Sequence, residues 1–188
     1  PSGVNLMKCK EQLTNLLQSD PKSCFIPSLI EEFELLSRVN LETDITLLKG
    51  VWELKWSSSS QPWLKQAPWL ENLQILDPVQ KKGVNLLRLS APIGSVVGIA
   101  VEAELSINST NQVGVQFKRG GWLGPSLGNG WRPKLLATIN QSFPAWLDIT
   151  GLDDSLRICR GNAGTCFALL KRTDLAVHDW IPQSIGKG

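Results

Sequence analysis

The sequence predicts a mainly β protein: an antiparallel up-and-down β-barrel preceded by two N-terminal α-helices. Three observations carry that expectation. The apolar period changes from helical to alternating at Leu48. Ile99, Val101, Ala103, Leu105 and Ile107 then alternate with Ala100, Glu102, Glu104 and Ser106, the clearest two-residue rhythm in the chain. Short segments of this kind follow one another with local turns and no helix between them, and closing such a meander on itself removes its exposed edges.

In residues 4–19, Leu6, Cys9, Leu13, Leu16 and Leu17 recur at helical intervals, and Asp20-Pro21 ends the run. A second helix is expected over 27–39, with Pro27 in its first turn and Ile30, Phe33 and Leu36 or Val39 as its packing stripe. The first strand is 51–56, where Trp52, Leu54 and Trp56 share a parity opposite Glu53 and Lys55. Further strands are expected at 73–77, 84–90, 99–107, 113–118, 135–140, 145–150, 156–160 and 165–172, separated by turn residues at 108–111, Asp153-Asp154 and 161–164. After the first strand, Pro62-Trp63-Leu64-Lys65 is echoed by Pro68-Trp69-Leu70-Glu71 in a long loop that begins with four serines. The expected organisation is one unit: a helical segment at 1–46 packed on the barrel, the barrel at 47–172 and a C-terminal tail at 173–188.

Composition narrows the function. With 188 residues, 42% hydrophobic and 19% charged, the chain supports one domain with a real core. A formal charge of +2 with dispersed Lys and Arg argues against a nucleic-acid partner. No apolar stretch approaches the about 18 residues of a membrane-spanning helix. The chain begins at Pro1, which is compatible with a transit segment removed ahead of it. Four cysteines without a CxxC pair and a single histidine make a poor metal set. That histidine, His178, lies in the tail, and no Ser-His or Cys-His arrangement and no phosphate-cradling Gly motif appears, so no enzyme activity is expected. Ring surface comes from eight Trp and five Phe with no Tyr.

Gly50-Val51-Trp52, Leu76-Asp77 ahead of an apolar strand, Leu147-Asp148-Ile149-Thr150 and Leu156-Arg157-Ile158-Cys159-Arg160-Gly161-Asn162 follow the helices in that order. Across residues 26–172 the chain thereby resembles the plastid-lipid-associated proteins, or fibrillins. The C-terminal block is the specific part of the match. Gly151 stands where members usually carry Tyr, and Gln112-Val113 where they carry Arg-Val, which sets the chain apart from the fibril-forming plant branch. The resemblance implies a lipocalin-like barrel, no cofactor, and association with thylakoid membranes or plastoglobule lipid droplets. It implies a small apolar ligand such as a carotenoid, prenylquinone or acyl lipid, and a location in a plastid, or at the thylakoid or in the cytoplasm of a cyanobacterium. The alternative is a protein-interaction module, with a side-chain-filled barrel, that recruits enzymes of pigment or quinone metabolism.

An eight-stranded barrel either fills with side chains or holds one small ligand, and the sequence leaves both open. Strand parity turns Leu87, Leu89, Ile99, Val101, Val113, Val115 and Phe117 inward as cavity lining or plain core. Arg160 shares parity with Leu156 and Ile158, and lipocalins pack a basic side chain over the Trp of the Gly-x-Trp strand. Arg160 is therefore expected to close the barrel on Trp52 by a cation–π contact. Trp63 and Trp69 lie where lipocalins carry a lid, and either plug one end of the core or gate it at a membrane. Lys118-Arg119-Gly120-Gly121-Trp122-Leu123 reads as a flexible basic loop with Trp122 at an apolar tip, next to Arg132 and Lys134. Cys159 and Cys166 flank the 161–164 turn symmetrically and are expected to face each other, as free thiols or as a reversible pair.

Overall fold

In a computed structural model, residues 2–61, 64, 69–89, 98–125 and 131–183 are described. Three helices come first: α1 Ser2–Ser19, α2 Ile26–Leu36 and α3 Leu41–Leu48. Among the described residues nine strands follow: β1 Gly50–Ser57, β2 Leu70–Asp77, β3 Lys82–Leu89, β4 Gly98–Ile107, β5 Gln112–Leu123, β6 Lys134–Thr138, β7 Ala145–Leu152, β8 Leu156–Gly161 and β9 Cys166–Lys171. All pairings are antiparallel. Eight strands close a ring in the order β1-β2-β3-β4-β5-β7-β8-β9, and β6 pairs with the far half of β5.

The second helix is shorter than its apolar stripe suggests. The chain turns extended at Ser37, and Asn40 then caps α3 by accepting from the Glu42 backbone N–H at 3.1 Å. Leu41 and Leu48 of α3 pack with Leu76, Leu105, Val113 and Leu152 at the strand ends, so this helix stops one end of the ring. Strand β5 changes partner halfway along, from β7 at 112–115 to β6 at 119–123. At the fork the Gln141 amide substitutes for a strand: its oxygen accepts from the Phe117 N–H at 2.7 Å and its nitrogen donates to the Val115 carbonyl at 3.2 Å.

Much of the ring is buried on its outer face as well as its inner one. α1 and α2 lay Cys9, Leu13, Leu17, Ile30 and Phe33 on Leu156, Ile158, Ala168 and Leu170. The segment after β9 runs over the outer face of β1 to β4, placing Trp180 and Ile181 on Val51, Leu73, Ile75, Val84 and Leu86. Trp180 lies under the guanidinium of Arg132 at 4.5 Å and that of Arg88 at 5.8 Å. A bulge between Leu54 and Trp56 sends Trp56 to the helix side, although Trp52 and Leu54 stay inside.

Two polar contacts fix the helices. Lys10 pairs with Asp153 at 2.7 Å and Asp154 at 2.9 Å, while Asp153 also accepts from the Ser155 and Leu156 N–H groups in its turn. Glu34 of α2 accepts from Arg160 Nε at 2.9 Å, Arg160 Nη2 at 2.7 Å and Thr150 Oγ1 at 2.6 Å. A Cβ on Gly151 would lie 2.6 Å from the Phe33 ring, so the glycine at this position admits the helix.

Burial alone would push the Glu34 carboxyl up. The hydrogen bonds from Arg160 and Thr150, with the guanidinium charge, outweigh it and hold the group below its ordinary value. A depressed carboxyl adds stability that is full above the unfolded value of about 4.3 and is lost as pH falls through the folded value. Glu34→Gln is expected to lower stability by about 1–2 kcal/mol at pH 7. In urea titrations across pH, the gap to the parent protein should close below about pH 4. A gap that stays constant down to pH 2 would contradict this account.

Candidate functional site

The ring encloses a cavity of about 520 Å³. β1 runs away from α3, so the ends of β1, β3, β5 and β8 and the starts of β2, β4, β7 and β9 form the opposite rim. Leu48 and Ile149 line the cavity toward α3, and Leu64, Phe143, Asn162, Ala163 and Thr165 line it toward the rim.

Of the residues expected to face inward, Leu87, Ile99, Val101, Val113, Val115 and Phe117 line this cavity. Leu89 does not. It closes β3 opposite Leu70 and is exposed. The volume falls within the roughly 300–1,000 Å³ of small-molecule sites.

Trp52 is fully buried at the α3 end, its Nε1–H donating to the Leu48 carbonyl at 2.9 Å. Two cations lie over its ring, Lys171 Nζ at 4.9 Å and the Arg157 guanidinium at 5.1 Å. Lys171 also donates to the Leu47 carbonyl at 3.0 Å. A Cβ on Gly50 would lie 2.4 Å from Lys171 Cε, so the glycine of the Gly-x-Trp pattern makes room for the cation that covers its own Trp.

Arg160 is therefore not the residue on Trp52. Its parity partners Leu156 and Ile158 face α1 and α2, and Arg160 leaves the ring with them to meet Glu34. The opposite parity, Arg157 and Cys159, faces inward. On β8 both parities are buried, so an apolar row did not identify the interior.

Arg157 has 0% exposure. It donates through Nη2 to Gln74 Oε1 on β2, so its side chain spans the interior from β8. Its Nε and Nη1 are buried without an oxygen or nitrogen acceptor from the protein, and the Cys159 thiol beside the guanidinium, held neutral by its own burial, is at most a weak acceptor. Burial lowers the Arg157 pKa, yet a guanidinium starts so high that it keeps its charge. Register places Trp52, Gln74, Asn85 and Val101 in one row across β1 to β4, which gives the cavity wall a polar band. The interior alternation on β8 could have revealed Arg157 only once the helices were known to cover the other face.

The expected basic loop is the second half of β5. A bulge at Lys118 of β5, opposite the consecutive Glu102 and Ala103 of β4, preserves the ladder through Gly120-Gly121 to Leu123. Arg119 pairs with Glu102, and Lys118 with Glu104 at 3.0 Å. Arg132 packs on Trp180 rather than joining them. Trp122 is exposed and stands in a cross-strand row, Leu87-Ile99-Trp122-Leu135, on the face that lines the cavity. Its outer members form an apolar ledge. Trp69, at the entry to β2, is exposed, and Trp63 lies outside the described residues.

Cys159 and Cys166 do not face each other. The turn pairs Arg160 with Cys166 and Cys159 with Phe167, and that one-residue offset puts the two thiols on opposite faces of the sheet. Cys159 belongs to the inner cluster and Cys166 to the helix-facing one. Burial pushes the Cys166 thiol up to about 12 and that of Cys9 to about 11. Native maleimide labelling is therefore expected to modify exposed Cys24 alone, and all four cysteines once the chain is unfolded. A mass 2 Da below the reduced value, taken as about two hydrogens lost, would contradict the separation of Cys159 from Cys166.

A family model described as PAP_fibrillin matches residues 9–170. No curated protein and no solved structure matches the chain. The match takes in α2, the Gly50-Val51-Trp52 start of the ring and the Leu156–Gly161 strand that supplies both Arg157 and Arg160. The chain belongs to the PAP/fibrillin family of lipid-associated plastid proteins.

Proposed function

We propose that this protein is a non-enzymatic lipid-associated carrier whose ring is a lipocalin-like barrel holding one apolar ligand, an isoprenoid or an acyl chain, at a thylakoid or plastoglobule surface. The cavity of about 520 Å³, walled largely by Leu, Ile, Val and Phe, carries this reading. It also disfavours the interaction module with a filled interior. The acidic side chains nearby have structural roles: Asp153 holds a turn, and Glu102 and Glu104 pair with cations on the outer face.

The exposed row of Ile99, Trp122 and Leu135 supports docking through the rim, since an apolar ledge continuous with a cavity lets a ligand pass into lipid without crossing water. Trp suits that boundary.

Organic extraction of purified protein followed by mass spectrometry is expected to release a stoichiometric apolar compound, and Val101→Trp, which fills the cavity, to abolish it while the protein stays folded. A consistently clean extract with no uptake of quinone, carotenoid or fatty acid would overturn the carrier reading. For the rim, Trp emission should shift to the blue on adding lipid vesicles. Trp122→Ala with Leu135→Ser should remove most of that shift. An undiminished shift in the double variant would place the contact elsewhere.

A further inference from the structure

We propose that Arg157 is the seat of an ionised head group, so that the cavity takes a single-chain amphiphile carboxylate first, with its hydrocarbon running out to the rim. The inference rests on the carrier reading and names the chemistry of the ligand within it. Arg157 is the one charged side chain among the described residues that line the cavity. It is fully buried, and Gln74 satisfies only Nη2. No oxygen or nitrogen of the protein accepts from Nε or Nη1, and the neighbouring Cys159 thiol brings no negative charge.

A stacking partner for Trp52 alone does not require this. Lys171 already covers that ring and satisfies itself on the Leu47 carbonyl, whereas Arg157 brings an uncompensated charge inside. A carboxylate supplies what is missing, one negative charge and acceptors for both nitrogens. One guanidinium balances one such charge. Away from Arg157 the lining turns apolar through Val101, Val115, Phe117 and Leu87 to Ile99 at the rim, the path an acyl chain needs.

The test compares oleate with methyl oleate, each delivered from cyclodextrin at pH 8 to protein stripped of lipid and followed by calorimetry. Oleate is expected to bind at least about tenfold more tightly, since only the acid carries the charge that a buried guanidinium recognises. In Arg157→Met that preference should fall below about twofold while the ester still binds, because the apolar wall is retained. Equal affinities in the parent protein overturn the carboxylate seat and leave the carrier reading standing. Failure of both ligands to bind overturns both. A preference that survives in folded Arg157→Met also overturns the assignment. Where that variant fails to fold, the acid-to-ester ratio of the parent protein decides alone.

Discussion

Arg157 crosses the interior of the ring from β8, lies over Trp52 of β1 and reaches Gln74 of β2. Those three strands are joined through β9 on one side and directly on the other, so the contact braces the sector where the last strands meet the first. Trp52 is tied in turn to the end of α3 through the Leu48 carbonyl. The closed end of the ring, the helix that stops it and the register of its closing strands therefore share one cluster of side chains. A buried indole with a hydrogen-bonded N–H, covered by cations, is stable only while all of its neighbours stay in place.

The second constraint is burial on both faces. A sheet with one wet face shows its interior by alternation, and β4 beyond Ala100 behaves that way: Val101, Ala103 and Leu105 turn inward, and Glu102 turns out to Arg119. β8 and β9 lie between the cavity and the helices, and β1 to β4 lie partly under Trp180 and Ile181. There, alternation identifies two buried faces without saying which one encloses the cavity.

That difference accounts for what the sequence made legible. Nine strands could be read because turn residues and two-residue rhythm are local, but the up-and-down order fails at β6, which the ring passes over to join β5 to β7. The inward set on β4 and β5 was legible for the same reason. Arg160 was assigned inward because Leu156 and Ile158 looked like core, which they are, but it is the core beneath α1 and α2. The cysteine pair was assigned from the symmetry of its turn, and a single residue of register, invisible in composition, separated the thiols. α3 was missed because its eight residues follow α2 after a break of four, and only the extended backbone at Ser37 and the Asn40 cap divide them.

The covered and uncovered walls of the ring differ in how firmly they are held. Helices brace β8 and β9, and the C-terminal segment braces β1 to β4, so those walls would have to break extensive packing to part. Between β5 and β7 the ladder lasts only from 112 to 115, and beyond it the Gln141 side chain supplies the hydrogen bonds that a strand would otherwise make. Phe117, Phe143, Ala145 and Trp146 line the cavity beside that fork, and the exposed ledge of Trp122 and Leu135 lies farther along β5 and β6. Two hydrogen bonds from one amide are a far smaller barrier than a packed helix pair. By this comparison the least braced wall is the one that already presents apolar surface, and it lies apart from the braced sector around Trp52 and Arg157.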